Sequence, residues 1–563
     1  MDMDSDERLM EDTNLEAALR PPHAIESLII MYLLKGVLPC AAFGKTVLGQ
    51  QIYDISNLFT ELSLSSSINF ITPGAIGDAD IVVDDSTTYQ GILGFGASLT
   101  DSSATLLANF KIQKPDNYWS ILGSLFDPTD GNWAAGLTFV RVPLGASDFS
   151  TSYYSFDDVS GDTGLSSFNI NKAPSAVFTV LKDIQTINSY LRVILTPWSP
   201  PAWMKSGGSM QGGSFTTSLV STYANYLLNA LQGFKNNGVT AYAISIQNEP
   251  ENGDTSYPTC SMPVTTMAQI GTALRTLLNN NGFSGTKIIG YEHNWADAAN
   301  YPVQLVSDLV AFSMPQGVKV EQMQQASSAF DGVSFHCYEG TVDQQDSFYS
   351  AYPSKDIYFT ECTGEIGTDW WSNIKWYMDN IFIGALEHNA RSGMMWNLAL
   401  DGSGQPILSG SDSCPTACQG VVTINSDGSY SLNEEFYSMA QASRAILPRD
   451  VNGPWGQRIG VSVGGSSSWA LRVAAYATGR VSSSDWHRYS LVVLNWDDSS
   501  STSWNPQSVK TTIEFRGMQA SYTFPVGVTT LWWYATATSS SKRSPVELYS
   551  STNGTRHPRQ FFV

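Results

Sequence analysis

Between about residue 90 and residue 400 the chain repeats one pattern eight times: a short, almost continuous apolar run followed by a longer amphipathic stretch. The runs are Gly91–Gly96, Leu137–Pro143, Leu191–Thr196, Ala241–Gln247, Lys287–Glu292, Gly332–His336, Asp356–Thr360 and Ser392–Trp396. Short apolar runs bounded by turn residues read as strands buried on both faces, the kind found in parallel sheets. The stretches between them, such as Leu219–Phe234 and Met267–Asn279, carry helical periodicity. Eight strand–helix repeats over roughly 300 residues predict a (β/α)₈ barrel in an α/β chain. A doubly wound sheet is the alternative, but no dinucleotide fingerprint follows any early strand. Gly91, Gly94 and Gly96 lack the Gly-Lys-Ser/Thr or G-x-G-x-x-G context of a phosphate loop and suit tight packing at the barrel base instead.

After about residue 425 the helical period gives way to Trp469–Ala475, Tyr489–Trp496, Thr511–Phe515 and Thr529–Tyr534, separated by Ser/Gly-rich turns. That is the pattern of an appended antiparallel β-sandwich. A chain of 563 residues is too long for one core,. The expected division is an N-terminal extension over 1–49, a strand-like segment over 50–88 that joins the sandwich, the barrel over 89–424, and the sandwich over 425–563. Residues 1–20 are acidic and polar, and the apolar run Leu28–Leu34 is interrupted by Lys35 and Pro39. It is too short to span a bilayer, which needs ~20 apolar residues. Read from Met31, Leu33–Phe43 resembles a signal h-region, with Ala41, Ala42 and Gly44 near a cleavage point. A secreted protein starting near Met31 is the expectation, with the sequon Asn553-Gly-Thr555 in keeping.

A barrel of this kind builds its site at the C-terminal ends of the strands, and polar and aromatic groups gather at those ends. Arg141 and Asp148 follow the second strand, and Trp198 to Trp203 the third. Asn248-Glu249-Pro250 ends the fourth, His336-Cys-Tyr338 the sixth, Glu361 the seventh, and Trp396-Asn397 the eighth. Glu249 and Glu361 sit on separate strand ends, the arrangement that retaining glycoside hydrolysis requires of an acid/base and a nucleophile. Each also has a structural alternative as an ion-paired strand-end residue. Glu365 competes with Glu361, whose place directly after the strand favours it. Asn248 beside the acid/base suits a hydrogen bond to a sugar 2-hydroxyl. Arg141 is placed to lower the pKa of Glu361, with a more apolar setting raising that of Glu249. His336 suits the site or the core, and Trp198, Trp203 and Trp396 suit packing or a sugar platform.

Other chemistries fit poorly. A net charge of −21, from 30 basic and 51 acidic residues, with no basic patch, disfavours nucleic acid,. The six cysteines lack zinc-site spacing,. Cys414 and Cys418 suit a local disulfide, and Cys337 and Cys362 follow adjacent strand ends and can approach one another. Gly460-Val-Ser-Val-Gly464 matches a nucleophile elbow, but no helix follows it, so it reads as turn and strand.

Taken together, Gly94-Phe-Gly-Ala-Ser-Leu-Thr-Asp101, Arg141–Ser150, Thr196–Lys205, Gln247-Asn-Glu-Pro250, Phe335-His-Cys-Tyr338, Phe359-Thr-Glu361 and Trp396–Leu400 resemble glycoside hydrolase family 30. The resemblance runs from about residue 90 to 560 in the family's order. It implies a barrel joined to a β-sandwich and a retaining double displacement with Glu249 as acid/base and Glu361 as nucleophile. Arg141, Asp148, Trp198, Asn248, His336, Tyr338, Trp396 and Asn397 fall on positions lining the sugar subsite. No cofactor or metal is expected. Cys337 stands where glucosylceramidases usually have an aromatic, and the loop with Cys414 and Cys418 looks like the fungal glucanase branch. The expected substrate is therefore a β-glucan or glucoside, cleaved as by an endo-β-1,6-glucanase, by a monomer with no nucleic-acid partner and no stable membrane insertion. A glucosylceramidase, a β-1,6-galactanase or xylanase, and a carbohydrate-binding pseudoenzyme are the alternatives.

Overall fold

A computed structural model describes residues 47–54, 63–64, 68–129, 132, 134–307, 324–499 and 503–537. The signal segment near Met31 and the sequon at Asn553 lie outside the described residues. Eight parallel strands form the barrel: β1 (Gly94–Ser98), β2 (Phe139–Pro143), β3 (Arg192–Thr196), β4 (Ala243–Ser245), β5 (Lys287–Asn294), β6 (Gly332–His336), β7 (Asp356–Glu361) and β8 (Ser392–Asn397). They pair in that order, and β8 returns to β1. Between β7 and β8 a parallel bridge joins Ile357 to Ala390, and the Arg391 amide donates to the Ile357 carbonyl at 2.8 Å. The expected strands are all present, displaced by at most three residues at an end.

Alternation explains how the interior is layered, because residues two apart on a strand face the same side. Phe139, Ile194, Ala243, Ile289, Tyr358 and Met394 form an apolar cluster from six different strands. Two residues further along β2, β3, β4, β7 and β8 stand Arg141, Thr196, Ser245, Thr360 and Trp396. An apolar floor thus carries a polar layer at the mouth. The helices supply the outer shell. Asp101–Gln113 starts where the Thr100 side chain accepts from the Ser103 amide, which satisfies one of the otherwise unpaired donors of the first turn,. Gly96 is needed where β1 meets β2, since a Cβ there would lie 1.9 Å from the Phe139 carbonyl oxygen.

Apart from five short strands that form separate two- and three-stranded sheets, and Ile68–Asn69, which pairs with Val47–Asp54 off the main path, the remaining strands make one sheet that runs Ser63–Leu64, Val47–Asp54, Gly527–Ala535, His487–Asn495, Leu471–Thr478, Gln457–Gly464, Ala79–Gly91, Val509–Phe515, Met518–Phe524. It folds back on itself: Trp533 and Phe515 come from distant strands of this path, yet their rings lie 5.2 Å apart. The strands pair antiparallel as expected, with one exception, the parallel pair of Ala79–Gly91 with Val509–Phe515. Ala79–Gly91 enters from before the barrel and Val509–Phe515 from after it, so no hairpin constrains their direction. Gly460–Gly464, the elbow look-alike, is part of the strand Gln457–Gly464. Among the described residues no helix is long and apolar enough to cross a membrane.

Candidate active site

The barrel mouth collects the carboxylates. Glu361 ends β7, and Glu249 follows β4 with a left-handed φ of +46°. One carboxylate oxygen of each, together with a ring nitrogen of His336, lie within 4.8 Å of one another. Glu361 accepts from Arg141 Nη1 at 2.5 Å and from the Tyr338 hydroxyl at 3.0 Å. Glu249 lies 3.0 Å from His336 Nδ1 and accepts from Asn252 Nδ2 at 2.8 Å. Arg141 is fully buried, donates to Asn248 Oδ1 at 2.6 Å, and stacks 4.6 Å from the centre of the Trp198 ring. Trp198 and Trp396 lie face to face at 4.9 Å.

The structure brings all ten expected site residues to this end of the barrel. Asp148 accepts from Ser413 Oγ at 2.8 Å, while its other oxygen has no partner among the described residues. Asn397 accepts from Thr100 Oγ1 at 2.8 Å, and its amide nitrogen is likewise unpartnered. These two free polar atoms are buried and face no protein partner, which suits the hydroxyls of a sugar. Trp203 does not join them: its indole N–H donates to the Asp157 carbonyl.

Two disulfides frame the mouth, Cys337–Cys362 and Cys414–Cys418. The first ties the residue after β6 to the residue after β7. The second closes a loop whose cysteines pack in one apolar cluster with Phe149, Trp198, Trp396 and Tyr257. That loop is held by Ser413 on Asp148 and by Asp412, which accepts from Ser256 Oγ.

Glu292 and His293 are mouth residues that strand-end reasoning passed over. Glu292 ends the expected strand Lys287–Glu292, and a Glu-His-Asn run directly after an apolar strand was the available signal. Its side chain is fully buried and meets Arg141 Nη2 at 3.3 Å and His336 Nε2 at 3.2 Å. His293 Nδ1 lies 3.9 Å from Glu249.

The electrostatics of the two carboxyls differ in direction. Burial pushes the Glu249 carboxyl up, but the hydrogen bond and charge of His336, with help from His293 and Asn252, hold it down to about 2. For Glu361 burial wins, raising it despite the nearby His336 and Arg141, and the charge of Glu249 adds to the rise. On Glu361 burial thus outweighs the charges of His336 and Arg141, whereas on Glu249 the direct hydrogen bond and charge of His336 outweigh burial. Burial disfavours a charged His336, yet Glu361, Glu249 and Glu292 raise it to about 9. Glu292 lies well below the usual range, with burial outweighed by Arg141, His336 and Ser245. Asp148 is raised to about 7, mainly by burial and further by Glu361 and Glu249.

Glu249, His336 and Glu361 are close enough to share a cation. Both ring nitrogens of His336 are already engaged by carboxylates, however, and the Arg141 guanidinium lies on Glu361. A metal would have to break these contacts and face that positive charge.

Residues 92–444 match the model of the glycosyl hydrolase family 30 TIM-barrel domain. An endo-1,6-beta-D-glucanase of Neurospora crassa is 30% identical over 395 residues, 66% of this chain and 74% of the relative. The endo-1,6-beta-D-glucanase neg1 of Aspergillus fumigatus is 31% identical over 399 residues, 67% and 75% of the two chains. Among solved structures, the endo-beta1,6-glucanase BT3312 superposes with a TM-score of 0.69 at 24% identity, covering 87% of this chain and 100% of that one.

Proposed function

Because this chain belongs to glycosyl hydrolase family 30 and is thus a glycoside hydrolase, we propose that it is a retaining endo-β-1,6-glucanase with Glu361 as nucleophile and Glu249 as acid/base. The observation that carries the mechanism is the spacing of the two carboxylates, with oxygens within 4.8 Å. Retaining enzymes hold their carboxyl groups about 5–5.5 Å apart, whereas inverting ones leave about 6.5–9.5 Å for a water.

In the first half, Glu361 attacks the anomeric carbon while Glu249 protonates the departing oxygen. In the second, Glu249 takes a proton from the water that hydrolyses the glycosyl ester. The reactive form needs the proton on Glu249 and the charge on Glu361. Arg141 and Tyr338 both donate to Glu361 and so favour its ionised form,. Asp148 and Asn397 present their free atoms to sugar hydroxyls, and Trp198 and Trp396 wall the subsite.

The β-1,6 linkage is supported by the relatives' names and by the disulfide-closed loop at the mouth. Two disulfides suit a protein made for an oxidising environment, so we place it outside the cell; recovery of the mature protein from culture medium, with its first residue sequenced, tests this. Product analysis on pustulan, laminarin, xylan and glucosylceramide tests the substrate. Gentio-oligosaccharides from pustulan, released as β-anomers, are expected. Cleavage of glucosylceramide with pustulan untouched would select a lipid glucosidase, and release of α-anomers would end the retaining mechanism.

A further inference from the structure

The Glu292 side chain touches neither candidate catalytic carboxylate, yet it holds a partner of each. One oxygen meets Arg141 Nη2 at 3.3 Å, His336 Nε2 at 3.2 Å and Thr360 Oγ1 at 2.7 Å. The other accepts from Ser245 Oγ at 2.5 Å and Thr196 Oγ1 at 3.2 Å. Arg141 goes on to Glu361, and His336 goes on to Glu249. The backbone is bent to achieve this. Pairing of β5 with β6 slips so that Ser334 faces Tyr291 while Phe335 faces His293, leaving Glu292 as an extra residue with φ +54°. A bulge of this kind re-aims a side chain, and a left-handed glutamate is strained backbone that the surrounding structure must hold in place. A carboxylate this deep is also expensive to bury, so a role in packing alone is poorly served by it.

Resting on the assignment of Glu249 as acid/base and Glu361 as nucleophile, we propose that Glu292 is a positioning residue. It holds His336 as an imidazolium, and Arg141 against Glu361, through both halves of the reaction, so that Glu249 stays ionised when it must act as a base. In the first half a bond forms from Glu361 to the anomeric carbon. The bond to the leaving oxygen breaks, and that oxygen takes the Glu249 proton. Glu361 is then a neutral ester. Its lost charge was the foremost attraction offsetting burial and keeping the proton on His336. Without a second counter-ion, His336 would pass its proton across 3.0 Å to Glu249. A protonated Glu249 cannot accept the proton of the attacking water, and the ester would persist.

The charged and titratable groups around the ring are Glu249 from the end of β4, Glu292 and His293 from β5, Tyr338 beyond β6 and Glu361 from β7, with Arg141 of β2 behind. Burial lowers His293 from its ordinary value, so its charge is the less persistent of the two rings. Glu249 and Glu361 change charge during the cycle. Among the carboxylates around the ring, Glu292 is the one whose charge persists.

The Glu292→Gln variant keeps the shape and removes the charge. Ring-¹³C NMR titration of the histidines, with His336 identified by the signal lost in His336→Asn, is expected to give a wild-type midpoint near 9 and one lower by at least about one pH unit in Glu292→Gln,. A wild-type midpoint at or below the ordinary 6.5 overturns the proposal, as does an unmoved midpoint in the variant. Glu292→Asp, which keeps the charge, should restore most of the shift, and the wild-type titration stands even if Glu292→Gln fails to fold. These readings do not depend on which sugar is cut.

With a 2,4-dinitrophenyl β-glucoside, Glu292→Gln should release one equivalent of phenol in a burst. It should then turn over about 100-fold more slowly than wild type, with the chain heavier by one glycosyl unit in intact mass. Equal slowing of both phases with no trapped sugar overturns the proposal. Failure of wild type to form any glycosyl-enzyme with a 2-fluoro glycoside ends the retaining mechanism, and the proposal falls with it.

Discussion

In the sandwich, Arg516 donates to Asp85 and, at 2.8 Å, to the Tyr489 hydroxyl, 4.9 Å from the centre of the Phe515 ring. At the barrel mouth, Arg141 donates to Glu361 and Asn248 beside Glu292, 4.6 Å from the Trp198 ring. Both are arginines on carboxylates over aromatic faces. The sandwich pair sets one guanidinium on one carboxylate. The mouth sets Glu249, Glu292 and Glu361, with Asp148 as a fourth buried acid, against Arg141 and His336. The carboxyls outnumber the cations, so not every proton has a fixed home. Acid–base chemistry needs such a proton, and a structural joint gains nothing from it.

The sharpest way to break this contrast is Glu361→Gln. Loss of the nucleophile should lower kcat by about 10⁴-fold or more, while thermal unfolding changes little, because a buried charge short of counter-charge is removed. A comparable loss of Tm would mean that the mouth is a structural joint after all. In the sandwich the effect should run the other way. Phe515→Ala removes a ring packed 5.2 Å from Trp533 and 4.8 Å from Tyr489. It should cost about 3–5 kcal/mol of stability in denaturant titration, with kcat per folded molecule unchanged.

How much of each region was legible in the sequence follows from which interactions are local. The barrel strands announce themselves, since each is an apolar run closed by turn residues, and Glu249 and Glu361 stand where such runs end. Glu292 also stands there, but strand alternation from Ile289 points it outward. Only the bulge at Tyr291–Glu292 turns it in, and a bulge leaves no mark in an apolar pattern. A related limit applies to the charges: Arg141 could be set near Glu361 from strand order, whereas the contact of His336 with Glu249 depends on ring orientation. In the sandwich, the pairing of Ala79–Gly91 with Val509–Phe515 joins segments far apart in the chain, and no local signal gives their direction.

The smallest effect, and the most discriminating, concerns pH. Asp148 is raised to about 7 from an ordinary 3.8, chiefly by burial. A carboxyl raised on folding is bound to its proton more tightly in the native state than in the unfolded one. Stability attributable to it is therefore full below about 4 and is lost as pH rises towards 7. His336, raised from 6.5 to about 9, continues the loss between those values. Glu249, lowered from 4.5 to about 2, works in the opposite sense and favours folding once pH exceeds its ordinary value. The mouth should thus be least costly near pH 4–5 and most costly in mild alkali. The whole chain also gains negative charge over that range, so wild type alone does not isolate the mouth. The difference between wild type and Asp148→Asn does, because the global charge term nearly cancels. Asp148→Asn should leave Tm about equal at pH 4 and raise it at pH 7–8, by a few degrees, while weakening catalysis through loss of a sugar acceptor. A variant more stable and less active at neutral pH would show that the unbalanced carboxylates are kept at the expense of stability. A variant destabilised at every pH would make Asp148 a counterpart of Asp85, a structural acid at the mouth.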